Sequence, residues 1–178
     1  MIAERFLNAS LFFAEKTEKL DTIKLYKLLF LADRECMKRT GHTITESVYR
    51  KIKPWGPVPL EAKALVDGIA AGDEDRPSIS RFLEVQKQGR NTHISFHGVA
   101  NLDYFSGEEV RILEKLAAKY RLWPGKRIAH GVHEMRGVKA LEWEKDFSMD
   151  IFLPLGSKTA NQECKEVSAK FRLALVNV

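Results

Sequence analysis

Cysteine is scarce in this 178-residue chain: Cys36 and Cys164 are its only thiols. Two cannot build a disulfide scaffold or a four-cysteine zinc site. Long apolar runs are missing as well. Stretches such as Leu28–Ala32 fall far short of the roughly 20 residues that cross a bilayer, so no membrane partner is expected. The start, Met1-Ile2-Ala3-Glu4-Arg5, places an acid where a secretion signal has bases, and no cleavage-site pattern follows. A cytoplasmic address is the expectation. The eleven glycines are scattered, forming neither a Walker A loop nor a G-x-G-x-x-G fingerprint. A G-x-S-x-G elbow is absent too. No internal repeat or low-complexity tract interrupts the chain.

What remains is an ordinary globular composition. Apolar residues at 44% and charged residues at 30% exclude a disordered or collagen-like chain. A fold of this length buries roughly 70% of its unfolded surface without staples. One domain over residues 1–178 is expected. The net charge of +5 is local: residues 16–63 hold eleven Lys/Arg against six Asp/Glu. Such asymmetry suits an acidic partner, either nucleic acid or an acidic protein surface, and equally a solvated basic face with no partner.

Periodicity gives a mainly helical α+β domain. Ile2, Phe6, Ala9 and Phe13 mark a helix over 2–16. Asp21 caps a second, running over about 21–39 and closed by Thr40-Gly41. This helix is apolar on two faces: Leu25, Leu28, Leu29, Ala32 and Cys36 form one, and Tyr26, Phe30 and Met37 the other. A helix apolar around most of its girth sits at the centre of a fold. Thr43–Lys53 reads as extended. Pro54-Trp55-Gly56-Pro57-Val58-Pro59 can be neither helix nor inner strand, because each proline lacks an N–H. It reads as an ordered turn opening a helix over about 60–71, with Pro59 near its first position. Residues 72–77 form a polar connection, and residues 80–86 and 92–97 a hairpin around Gln88-Gly89-Arg90-Asn91. Ser106 and Glu109 make a capping box, flanked by Phe105 and Val110 as a hydrophobic staple. The helix behind them should bury Val110, Leu113, Leu116, Ala117 and Tyr120. Trp123-Pro124-Gly125 breaks it. A short helix over 128–134, an irregular stretch to Gly156 and a last helix near 159–175 complete the chain.

Residues able to carry catalysis are few. His130-x-x-His133 shares a helix face, but the order His-Glu-x-x-His is absent and no third ligand stands nearby. His93 and His97 form an unspecific strand pair. Cys36 lies on an apolar face and packs as a small hydrophobe. No enzymatic activity, metal or cofactor is expected. Asp33 is different, a carboxylate in register with Tyr26, Phe30 and Met37. Buried, it needs donors or a cation. The amides of Trp55, Gly56 or Val58, or the Arg50 guanidinium, are the natural ones, and Asp33 would then pin the proline turn to the central helix.

The segments Lys27-Leu28-Leu29-Phe30-Leu31-Ala32-Asp33-Arg34-Glu35, Gly41-His42-Thr43-Ile44-Thr45 and Trp55-Gly56-Pro57-Val58-Pro59 resemble the Panacea family, the phage-associated SocA-like antitoxin domain. Phe105-Ser106-Gly107-Glu108-Glu109, His133-Glu134 and Trp143 resemble its second half. The resemblance spans about 5–145 and leaves 146–178 as a C-terminal extension. It implies a compact α-rich domain with a small β element. It also implies an antitoxin that binds a cognate toxin, encoded by the adjacent gene, and in one branch hands it to a AAA+ protease. Structural roles fall to Asp33, Gly56, Pro57, Pro59, Ser106 and Glu109. The alternative is nucleic-acid binding by the basic 16–63 region.

A partner surface is expected where Lys24, Lys27, Arg34 and Lys38 share a face of the central helix with Leu31 among them. Arg50, Lys51 and Lys53 follow in the extended segment. Trp55 would anchor the contact, since interfaces favour an aromatic centre with charges at the rim. The competing reading makes Trp55 core and the lysines solvent-exposed.

Overall fold

The computed structural model describes residues 2–72, 82–88 and 91–153. The expected last helix, Cys164, and residues 73–81, 89 and 90 lie outside them. Helix α1 spans Ile2–Lys16 and buries Phe6, Ala9 and Phe13. Helix α2 spans Thr22–Thr40. Asp21 caps it by accepting the Lys24 N–H at 2.7 Å. Gly41 ends it in the left-handed region at φ 80° and donates to Met37 O. Leu25, Leu28, Leu29, Phe30, Ala32 and Cys36 have no exposed surface at all.

Strand β1 (Tyr49–Ile52) and strand β2 (Gly56–Pro59) pair antiparallel, with Tyr49 opposite Pro59 and Ile52 opposite Gly56. Helix α3 (Leu60–Ala71) follows directly, with Pro59 as its N-cap residue. Strands β3 (Leu83–Gln88) and β4 (Asn91–Phe96) form the hairpin. A 3-10 turn at Leu102–Tyr104 leads to helix α4 (Gly107–Tyr120). Helices α5 (Gly125–His133) and α6 (Arg136–Lys139), strand β5 (Asp146–Phe147) and a 3-10 turn at Met149–Phe152 close the described part. Strand β5 pairs with β1, giving a three-stranded sheet ordered β2-β1-β5. The proline-rich β2 therefore lies at an edge, where missing N–H donors break no ladder.

Helix α2 is central. It packs against α1, α4, α5, β2, β4 and the Met149–Phe152 turn. The aromatic ring of Phe30 meets Tyr49, Phe147 and Phe152 edge-on at centroid distances of 5.6, 6.5 and 5.8 Å. The mainly α-helical α+β class is thus the observed one. Three details differ from expectation. Val110 is only half-buried while Ile112 is buried, because the inward stripe of α4 runs through Ile112, Leu113, Leu116 and Ala117. Helix α5 begins at Gly125 rather than Ile128, since a proline just before the first turn costs no hydrogen bond. The stretch expected to be irregular supplies α6 and β5. Among the described residues, no helix is long and apolar enough to cross a membrane.

Candidate functional site

The expected basic stripe of α2 is mostly internal. Lys24 and Lys27 have no exposed surface and Leu31 is buried. The helix is apolar on so much of its girth that its neighbours close over the lysine positions too. Their long stems pack as hydrocarbon, and each ammonium finds carbonyl oxygens. Lys24 Nζ donates to Glu18 O at 2.6 Å and Arg121 O at 2.9 Å, tying the α1–α2 loop to the end of α4. Lys27 Nζ donates to Pro57 O at 2.5 Å, tying α2 to the proline strand. Lys51, buried on β1, donates to Leu141 O at 2.7 Å and lies 4.3 Å from the Trp143 ring centroid. Burial lowers the pKa of all three, that of Lys27 to about 7. These lysines are clamps on backbone carbonyls, and they present no charged surface to a partner.

Arg34 and Lys38 differ. The half-buried Arg34 guanidinium stands 5.5 Å from the Phe152 ring centroid, and Lys38 is exposed. Arg50 pairs with Asp146 at 2.5 Å across β1 and β5, and Lys53 is exposed.

Asp33 is fully buried, but its partners are not those expected. Its carboxylate accepts the amides of Ile44 and Thr45, each at 2.8 Å, the Thr45 hydroxyl, and the Tyr49 hydroxyl at 2.7 Å. Asp33 thus pins the segment between α2 and β1, and Lys27 pins the proline turn. Burial pushes the carboxyl above the usual carboxylate range, and the four hydrogen bonds offset part of that.

The β1–β2 turn projects Trp55, which is 40% exposed and so is not the core residue of the competing reading. Trp143, 38% exposed, flanks the same strand pair, with Lys53 Nζ 5.9 Å from its ring centroid. Gly56 has φ 78°, and a Cβ there would lie 2.4 Å from His133 Nε2. Only glycine satisfies both constraints. Pro57 and Pro59 are buried behind it. His133 rests against Trp143 with ring centroids 5.9 Å apart, while His130 is exposed. Beside Trp55 opens a cavity of about 380 Å³ whose lining includes Tyr26, Lys27, Ile52, Val58 and Val66. Trp143 reaches β1 from another part of the chain, packing over Lys51, a contact no short motif encodes.

Ser106 and Glu109 form the expected capping box, and Glu109 is also salt-bridged to Arg5 of α1. The box therefore also fastens α4 to α1.

The architecture defines the class: a mainly helical α+β domain wrapped around one central helix, with an exposed aromatic turn beside its small sheet. The chain belongs to the antitoxin SocA-like, Panacea domain family, whose family model matches residues 25–137. That span runs from α2 through the start of α6 and includes the proline turn, Asp33 and the capping box. No curated protein and no solved structure matches the chain.

Proposed function

We propose that this protein is an antitoxin that neutralises a cognate toxin, the product of the adjacent gene, by direct non-catalytic binding. Membership of the SocA-like antitoxin family carries the reading. The contact is assigned to Trp55, exposed at the β1–β2 turn, with the exposed Lys53 two residues before it, an aromatic anchor with a basic neighbour of the kind found at hot spots. Handing the toxin to a AAA+ protease is a further step, which a fall in toxin level on co-expression would reveal.

Burial bears on the nucleic-acid alternative. Of the basic residues in 16–63, Lys24, Lys27 and Lys51 are buried, and Lys16, Arg39, Arg50 and Lys63 sit in ion pairs. Little of the local excess is free to displace counterions from phosphate. A protein partner is favoured. The test is growth: expressing the neighbouring reading frame alone should arrest cells, and co-expressing this chain should restore them. A harmless neighbour, together with a purified chain that shifts DNA at about 0.15 M salt, would reverse the ranking.

A further inference from the structure

Three side chains of different chemistry converge where α2, its C-terminal turn and the start of α4 meet. The Cys36 thiol, the His42 imidazole and the Glu109 carboxylate each offer one ligand atom, and these atoms all lie within 4.8 Å of one another. We propose that Cys36, His42 and Glu109 form a binding site for one divalent transition-metal ion of the zinc class, independent of the antitoxin reading.

The donor set is the first argument. Thiolate, imidazole and carboxylate are the three protein ligands of zinc, and three of them leave a fourth position open to water. The spacing is the second. Zinc ligands bound at about 2.0–2.3 Å in tetrahedral geometry stand roughly 3.5 Å apart. His42 Nε2 and Glu109 Oε1 are already 3.6 Å apart. Each ligand on α2 or α4 is held from behind, as metal ligands usually are. The Thr40 hydroxyl contacts Cys36 Sγ at 3.3 Å. Glu109 Oε2 accepts the Ser106 amide at 2.7 Å, while Oε1 accepts Arg5 and keeps a second lone pair for the ion. Access is the fourth argument. His42 and Glu109 line an open groove of about 600 Å³ shared with Thr43, Ser47 and Ser148. Binding releases the Cys36 thiol proton, and the resulting thiolate together with the Glu109 carboxylate balances the charge of the dication.

Cobalt(II) titration of the full chain tests this, because thiolate ligation gives a near-ultraviolet charge-transfer band and tetrahedral geometry gives intense visible bands. One equivalent should saturate both, and zinc should displace the cobalt. Cys36→Ser should abolish the charge-transfer band, and Cys164→Ser should leave it intact. His42 is 57% exposed, so His42→Ala keeps the fold and should weaken cobalt binding at least about tenfold. If Cys36→Ser fails to fold, the His42→Ala titration decides alone. Absence of a thiolate band, its survival in Cys36→Ser, or unchanged affinity in His42→Ala would overturn the site.

Discussion

Lys27 gives the sharpest physical test, because its burial couples stability to pH in a predictable direction. Lys27→Met keeps the length and most of the volume of the stem and removes the ammonium. In the folded protein burial lowers the Lys27 pKa to about 7, from 10.5 in an unfolded chain. Between those values the unfolded chain holds a proton that the folded chain does not. Unfolding then takes up a proton, so stability rises with pH, by at most about 1.4 kcal/mol per pH unit and about 5 kcal/mol in all. This stability is present above the unfolded pKa and lost as pH falls towards the folded one. The methionine variant lacks this dependence but leaves Pro57 O without its donor, a loss of about 1–2 kcal/mol at every pH. Wild type should therefore be the more stable protein in alkali and the variant the more stable near neutrality, with the curves crossing at roughly pH 9. Urea denaturation followed by tryptophan fluorescence at a series of pH values reads the difference, and other titrating groups cancel in it. A difference that stays flat from about pH 7 to 10 would refute the buried-ammonium reasoning.

The other predictions concern the network, the turn and the cap. Asp33→Ala strands four buried donors and should cost about 3–5 kcal/mol in chemical denaturation, whereas Asp33→Asn, which can still accept the Ile44 and Thr45 amides, should cost less. Gly56→Ala meets both the left-handed backbone and His133, so its melting temperature should drop by several degrees, a loss of about 1–3 kcal/mol; His133→Ala in the same chain should recover part of it. Glu109→Ala removes the reciprocal cap and the Arg5 pair together and should cost about 2–3 kcal/mol by urea titration, more than Ser106→Ala, which removes one cap bond.

Local signals in the sequence were reliable wherever the deciding residues are neighbours. Asp21 and Gly41 bound α2, Ser106 and Glu109 start α4, and the three prolines force a turn and an edge strand, all through contacts a few residues apart. The site was less legible. Helical periodicity counts lysine as polar, so it puts Lys24 and Lys27 on an outer, partner-facing stripe. Their fate depends on Glu18, Pro57 and Arg121, which only the fold brings within reach. Asp33 was recognised as buried, but its donors turned out to be Ile44, Thr45 and Tyr49, because the chain after Gly41 doubles back along α2 before reaching the proline turn. The Cys36–His42–Glu109 cluster joins the end of one helix to the start of another, a spacing no short motif encodes.

The central claim, that the exposed aromatic turn binds a toxin, is tested most directly by titrating the purified chain with the neighbouring gene product. Wild type should bind it. Trp55→Ala should bind at least about 30-fold more weakly, the equivalent of a 2 kcal/mol hot spot, while keeping the melting temperature of the wild type, since Trp55 is 40% exposed. Undiminished binding by a folded Trp55→Ala variant would contradict the account.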